Sequence, residues 1–347
     1  MSGDPSDMVA RLHARSSQAH EFSIMEKLRS KYAKSPRDAM LANSLDRLIA
    51  EAVQRADLSL PAGFGNRVHG SALVVMGPTG VGKSRALARL FKRDSELKGF
   101  EDPKSASPLI SVSAPAHCTP MQLARTILRA TGYPLKRDLP THQLWELAWE
   151  RLDAMQKFLL HIDELQHVVQ YLTDKDRQEM ANTLKHSMEG RRISLILSGV
   201  DAMVDFLQFD EQLFRRMTLK PIPPLSPDTL PDLARAVIDY STAANLEFGA
   251  DDMRKMDFFA RLAHAGLRAF GYSIVLTHSA IERALLVGDT TLTVEHFAHI
   301  FAAKTAATAD RNPFLAPNWH AIDCASYWQK PDEPTAPTPS ARRGRKK

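Results

Sequence analysis

This 347-residue sequence predicts an α/β fold with a parallel sheet flanked by helices, followed by a small helical lid. Three observations carry that expectation. Short apolar runs recur with helical patterns between them, a glycine-rich loop follows the first run, and an acidic pair ends the third. Strands that alternate with helices favour a parallel sheet covered on both faces.

Composition sets the outer limits. Hydrophobic residues make up 44% and charged residues 24%, which is ordinary for a globular chain and excludes wholesale disorder. At roughly 150 residues per domain the length suggests two domains with short extensions. The net charge is +5, but the last 17 residues carry five basic and two acidic side chains, leaving +2 on the other 330. The body is thus close to neutral, and its overall charge says little about nucleic acid. The basic end reads either as a contact for phosphates or an acidic partner, or as a solvated terminus. Cys118 and Cys324 lie far apart, which predicts neither a disulfide framework nor a Cys-type zinc site and points to a reducing cytoplasm. No apolar run approaches the ~18 residues of a membrane span. The opening Met1–Asp7 lacks a signal-peptide layout, so the expectation is a soluble intracellular protein with no membrane partner.

Residues 1–34 are polar with scattered apolar positions. Ser35-Pro36-Arg37-Asp38 then places a capping hydroxyl before a proline at a first helical position, and Leu41, Leu45, Leu48, Ile49, Ala52 and Val53 mark one helix face. A Pro/Gly-rich link, Pro61–Gly65, follows. Ala72–Met76, Leu109–Val112, Phe158–Ile162 and Ile193–Leu197 read as buried parallel strands. Thr119-Pro120-Met121-Gln122 is a capping-box pattern whose helix ends near Gly132. From Ser226-Pro227 the pattern reads as helical to about residue 305, with Thr293 a cap for the last helix, and the segment from Pro331 is Pro-rich and basic. The expected organisation is an N-terminal helical extension (1–65), a nucleotide-binding α/β domain (66–224), a helical lid (225–305) and a C-terminal extension with a disordered tail (306–347).

Gly77-Pro-Thr-Gly-Val-Gly-Lys83-Ser84 matches the phosphate-loop pattern in full, after a predicted strand and before a predicted helix. Glycines let backbone N–H groups turn inward around phosphates, and the helix start adds its dipole. Lys83 would reach the β- and γ-phosphates and Ser84 would ligate Mg²⁺. The acidic pair Asp163-Glu164 ends an apolar strand 80 residues after Lys83. Asp163 would hold the Mg²⁺ shell from the strand's carboxyl end. Glu164 would polarise the attacking water, or else act only as a helix-start carboxylate. His161, inside that strand, reads as a packed core histidine. Ser198, ending the fourth run, reads either as a γ-phosphate sensor or as a turn former. Arg215 and Arg216 read either as a solvated pair or as a place for a finger stabilising γ-phosphate charge.

In this order the pieces resemble an AAA+ ATPase of the initiator and transposition branch. More narrowly, they resemble the TniB/TnsC-type ATPases that regulate DNA transposition. The resemblance is carried by Gly77–Ser84, Leu159–Glu164, Leu197–Ala202, Asp210–Gln212 and Arg216, and covers roughly residues 36–300. It implies ATP and Mg²⁺ as cofactors, hydrolysis served by Lys83 and Glu164, and an arginine finger on Arg216 with Arg215 as fallback. Nucleotide contacts would come from Gly77, Pro78, Thr79, Gly80, Val81, Gly82, Lys83, Ser84 and Arg85, with Asp163 and Ser198. The loop that faces duplex DNA in such proteins falls on Ala116–Met121, including His117, Thr119 and Met121. His117-Cys118-Thr119 stand where a lysine is more usual, and Lys136 and Arg137 could compensate. Ala265–Tyr272 resembles the stretch with a second phosphate sensor, but the expected arginine is Tyr272 here, so Arg268 would substitute or the sensor is absent. The implied partners are double-stranded DNA, a transposase, a target-selection adaptor and further copies of the chain in a ring or helical filament. The implied location is cytoplasmic and nucleoid-associated.

The alternatives are a helicase loader or replication initiator of the same branch, a protein-remodelling motor, and a scaffold that only binds ATP. Initiators usually append a winged-helix domain, and only 42 residues follow position 305. A remodelling motor would thread polypeptide with an aromatic loop, whereas Ser113–Thr119 has no Phe, Tyr or Trp. A scaffold would not need Glu164.

Overall fold

The computed structural model describes residues 8–9, 19–135, 138–249, 253 and 255–328. Lys136, Arg137 and the basic tail from Pro331 lie outside them. The chain divides into an α/β unit, Ala33–Leu225 with Ala269–Gly271, and a helical unit, Met1–Tyr32, Ser226–Arg268 and Tyr272–Lys347. Helix α1 (Ala19–Ser30) opens the helical unit.

In the α/β unit, α2 (Pro36–Ala52) is N-capped at Ser35, with the Ser35 N–H donating to the Asp38 carboxylate at 2.8 Å. Strands β1 (Ala72–Met76), β2 (Leu109–Ser113), β3 (Leu159–Asp163), β4 (Ser194–Gly199) and β5 (Met217–Pro221) form one sheet in the order β2-β3-β4-β1-β5. Every pairing is parallel, with Val74 opposite both Leu197 and Leu219. The predicted runs thus became the three inner strands β1, β3 and β4 and the edge strand β2. Their apolar continuity has a physical reason: Leu73, Val74, Val75, Leu160, Ile162, Leu195, Ile196 and Leu197 are at most 1% exposed, buried on both faces.

Helices α3 (Lys83–Arg93), α4 (Pro120–Ala130), α5 (Thr141–Ala154), α6 (Gln166–Val169), α7 (Asp174–Glu189), α8 (Met203–Gln208) and α9 (Glu211–Phe214) connect the strands. The capping box at α4 forms as its sequence predicts. Thr119 Oγ1 accepts from the Gln122 N–H at 3.2 Å, and the Gln122 side chain accepts from the Thr119 N–H at 2.8 Å. Helix α4 buries Leu123, Ile127 and Leu128, and α5 buries Trp145 and Trp149, whose rings stack at 5.0 Å. Full burial of each such side chain is worth about 1.5–3 kcal/mol. The sheet order has one consequence for function. Strand β4 separates β1 from β3, so the carboxyl ends of β1 and β3 stand two strand spacings apart, about 10 Å.

The helical unit contains a 3₁₀ turn, Pro227–Thr229, then α10 (Leu230–Ala243), α11 (Met256–Ala265), α12 (Phe270–Val287) from Tyr272 onward, α13 (Val294–Thr305) and α14 (Ala325–Trp328). The expectation of helix throughout 226–305 needs one correction. Strands β6 (Glu247–Phe248) and β7 (Thr291–Leu292) pair in parallel, Phe248 opposite Leu292. At two residues each they are too short to show a period-2 pattern, and pairing across more than 40 residues is a tertiary event. Phe258 sits at the centre of an aromatic cluster, its ring 5.2 Å from Phe259, 5.1 Å from Phe297 and 6.1 Å from Phe314. Arg261 ties down the chain beyond α13, donating to the Pro313 and Ala316 carbonyls at 2.9 and 2.8 Å. Helix α1 is anchored by Arg29 to Glu282 at 3.0 Å. No helix among the described residues is long and apolar enough to cross a membrane.

Candidate functional site

The sheet's carboxyl edge gathers the residues that the motifs single out. Strand β1 ends at Met76, and the chain turns through Gly77–Gly82 into α3. Gly80 and Gly82 have φ of 80° and 99°, in the left-handed region where a side chain is strained. Gly82 is the N-cap of α3 and accepts the Ala86 N–H at 3.0 Å. The loop has a brace on each side. Arg37 of α2 donates to the Val81 carbonyl at 2.6 Å, with its guanidinium 4.4 Å from the Phe270 ring centroid. The Gly271 N–H donates to the Gly80 carbonyl at 2.8 Å, and a Cβ at Gly271 would come 2.3 Å from that oxygen.

Lys83 is 5% exposed and donates to the Gly77 and Pro78 carbonyls at 2.8 and 3.1 Å. Burial pulls its pKa below the ordinary lysine value, while the carboxylates of Glu164, Asp163 and Asp201 pull it back up. A buried ammonium with several carboxylates nearby but no described ion pair is arranged to receive an anion. Ser84 stands beside it at the start of α3, partly exposed, as are Pro78 and Gly80; Thr79 and Arg85 are exposed.

The acidic pair lies across β4. Asp163 Oδ1 accepts from the Glu164 N–H at 3.0 Å and from the Ser198 hydroxyl at 2.5 Å. Among the described residues its hydrogen bonds fall on that one oxygen, which leaves Oδ2 for a cation. Ser198 also contacts His161 Nε2 at 3.0 Å, and Ser111 Oγ lies 2.8 Å from His161 Nδ1. The proton count fixes the direction of this chain. With the one Ser198 proton on Asp163, His161 Nε2 must carry a hydrogen and donate to Ser198, so Nδ1 accepts from the Ser111 hydroxyl. Burial drives the His161 pKa down to about 4, against the pull of Asp163, so the ring is neutral at pH 7. His161 is a core histidine, as the strand pattern predicts, and is also the middle of a relay that ends on Asp163.

Glu164 takes a φ of 56°, a left-handed backbone that a glutamate adopts only where the surroundings impose it. Its carboxylate accepts from the side-chain amide of Gln166, and the Gln166 oxygen accepts the Val200 N–H at 3.2 Å. Gln166 belongs to none of the motifs. Its position two residues past the acidic pair is the one signal that pointed to it. Arg37 and Gly271 were also missed as braces of the loop, because their proximity is created only by folding.

The remaining candidates are held more locally. Arg216 pairs with Glu189 at 2.7 Å, with 32% of its side chain exposed, and its carbonyl accepts the Ala72 N–H at 2.9 Å. Arg215 pairs with Glu211. Asp210 caps α9 through the Leu213 N–H at 2.8 Å and pairs with Lys185 at 3.2 Å, which braces the segment before Arg216. In the loop after β2, His117 is exposed with φ 54°, its ring 4.6 Å from that of Tyr171. Thr119 serves as the α4 cap, and Met121 packs partly buried against the core. The Cys118 N–H donates to the His167 carbonyl at 3.0 Å, and His167 Nδ1 lies 3.2 Å from the Ala114 carbonyl. That loop is thus tied to the helix that follows the acidic pair. Arg268, in the helical unit, has φ 56° and donates its N–H to the Ala263 carbonyl at 2.6 Å.

The oxygen donors suit a hard cation with a nucleotide. The Ser84 hydroxyl and the Asp163 carboxylate match Mg²⁺ in type, and the loop amides with Lys83 match phosphate. Residues 64–227 match the family model described as bacterial TniB protein. No curated protein sequence matches the chain. Among solved structures, Orc1 of Aeropyrum pernix in complex with DNA superposes with a TM-score of 0.58 at 16% identity, covering 81% of this chain and 68% of that one. Cdc6p of Pyrobaculum aerophilum gives 0.56 at 15% identity, covering 80% and 69%. Aeropyrum pernix ORC2 gives 0.52 at 17% identity, covering 78% and 68%. At such identity these likenesses speak for the fold. A P-loop on β1, an acidic pair on β3 and this sheet order belong to the AAA+ ATPases, and residues 64–227 carry the TniB family match on that fold.

Proposed function

We propose that the chain is an ATP-hydrolysing regulator of DNA transposition. It assembles as a homo-oligomeric ring or helical filament on target duplex DNA and recruits or activates a transposase, with an adaptor selecting the target. The observation that carries the ATPase part is the juxtaposition of Lys83 and the Asp163-Glu164 pair across β4. The TniB family match supports the transposition part. In this reading Gly77–Arg85 bind the phosphates, and Lys83 moves from the Gly77 and Pro78 carbonyls to the β- and γ-phosphate oxygens. Asp163 and Ser84 would hold Mg²⁺, which would supply neutralisation of phosphate charge. Glu164 takes the proton of the attacking water. Ser198 acts on the site through Asp163, and Arg216 leaves Glu189 to serve the nucleotide of a neighbouring subunit. Arg268 is the candidate second sensor. His117, Thr119 and Met121 contact the duplex, with Lys136 and Arg137 supplying the positive charge that the loop itself lacks.

The test is electron microscopy of the protein with duplex DNA and a non-hydrolysable ATP analogue, together with ATPase assays. Rings or filaments tracking the duplex support the proposal. Monomers, or assemblies that load a helicase in place of engaging a transposase, turn it toward the loader alternative.

A further inference from the structure

We infer that Gln166 is the positioning residue for Glu164, and that it makes the place of the proposed general base follow the end of β4. The inference rests on the ATPase reading above and goes beyond it by assigning a residue that neither the P-loop nor the acidic pair contains.

Four observations converge. Gln166 is 5% exposed, so its amide is confined to partners inside the fold. Both ends of that amide are engaged, Nε2 on the Glu164 carboxylate and Oε1 on the Val200 N–H at 3.2 Å. Gly199 leaves the room for it, since a Cβ there would lie 2.5 Å from Gln166 Oε1. Glu164 itself has the left-handed backbone, φ 56°, that a neighbouring contact has to over-determine. A free glutamate side chain samples several rotamers. The Gln166 clamp selects one and leaves the carboxylate's other oxygen as the proton acceptor.

The clamp is anchored where a signal could arrive. The Leu165 N–H donates to the Ser198 carbonyl at 3.0 Å, and the Gly77 N–H donates to the Gly199 carbonyl at 3.3 Å. The end of β4 that holds Gln166 through Val200 therefore also holds the first residue of the phosphate loop through the adjacent Gly199. A rearrangement of that loop on nucleotide binding moves Gly199 and Val200, and through Gln166 moves the Glu164 carboxylate. Asp163 is held at the same strand end by the Ser198 hydroxyl, so β4 sets the positions of both carboxylates.

The test uses the full-length chain with duplex DNA and measures kcat and KM for ATP. Gln166→Met keeps length and volume but removes both hydrogen bonds. It lowers kcat roughly 10–100-fold, the loss expected when a catalytic group is misplaced by about an ångström, and leaves KM within about twofold. Gln166→Glu keeps the acceptor for the Val200 N–H but sets a carboxylate against Glu164. Its kcat falls as in Gln166→Met, with KM for ATP again within about twofold, because the amide donor to Glu164 is gone. In a Glu164→Gln background, Gln166→Met adds no further loss in single-turnover rate, since the two act as one unit. A wild-type kcat in Gln166→Met or in Gln166→Glu, a parallel loss of ATP binding, or full additivity each overturns the positioning role. A wild-type protein that binds ATP without hydrolysing it overturns the ATPase reading instead, and the positioning role falls with it.

Discussion

The two units use their buried polar groups for different ends. At the carboxyl edge of the α/β sheet, His161, Gln166 and Ser198 are buried and their hydrogen bonds lead to Asp163 or Glu164, while Lys83, buried on the Gly77 and Pro78 carbonyls, lies in the field of both carboxylates. In the helical unit the comparable groups close the chain on itself. Buried Asn312 donates to the Ala298 carbonyl at 2.8 Å and buried Ser241 to the Leu246 carbonyl at 3.0 Å, and half-buried Arg261 donates to two carbonyls beyond α13. A polar network that ends on carboxylates preorganises a site, whereas one that ends on backbone carbonyls holds a fold. Substitutions in the first should therefore remove binding or turnover at little cost in stability, and substitutions in the second the reverse.

The largest expected effect is from Lys83→Ala, which removes the one buried cation of the loop and should abolish nucleotide binding, read by fluorescent-nucleotide titration or calorimetry. Unchanged affinity would break the comparison at its root. Next, Glu164→Gln should bind ATP as the wild type does while hydrolysis falls on the order of 10²–10⁴-fold, and DNA-bound assemblies should accumulate. In the helical unit, Phe258→Ala empties the centre of the aromatic cluster and should lower unfolding stability by about 3–5 kcal/mol. Thermal unfolding should show this with nucleotide affinity retained, and lost affinity at retained stability would contradict the division of labour. Asn312→Ala should act in the same direction by about 1–3 kcal/mol, through an unsatisfied Ala298 carbonyl.

The smallest effect tests the relay behind Asp163. His161 is held well below its ordinary value of 6.5, at about 4, so in that interval the unfolded chain takes up a proton that the folded chain refuses. The α/β unit should lose stability as pH falls from about 6.5 toward 4, and regain it as pH rises. His161→Gln should flatten that slope in unfolding curves recorded at several pH values. A mixing experiment adds a separate check on the assembly. If Arg216 serves a neighbour, Arg216→Ala should be inactive alone and regain turnover when mixed with Lys83→Ala subunits, which supply the arginine in trans; full activity of Arg216→Ala alone would sink that role.

Sequence alone determined the parts whose chemistry is local. The four apolar runs became β1 to β4 because strands covered on both faces must be mostly apolar, with a buried polar residue such as His161 or Ser198 kept where it finds a partner. Gly77–Ser84 became a loop followed by a helix because left-handed positions need glycine, as at Gly80 and Gly82. Thr119 capped its helix because the Thr-x-x-Gln spacing satisfies two backbone groups by itself. Tertiary structure decided what depends on contacts between distant segments: the strand order that brings Lys83 within reach of Asp163 and Glu164, the β6–β7 pair, the Arg37 and Gly271 braces, and the Ser111-His161-Ser198-Asp163 relay. It also decided the role of Gln166, for which local pattern could give no more than a position. A motif marks residues whose backbone or charge is constrained where they stand. The partners that orient them are chosen by the packing of the sheet, and no spacing along the chain encodes which strand end will lie beside which.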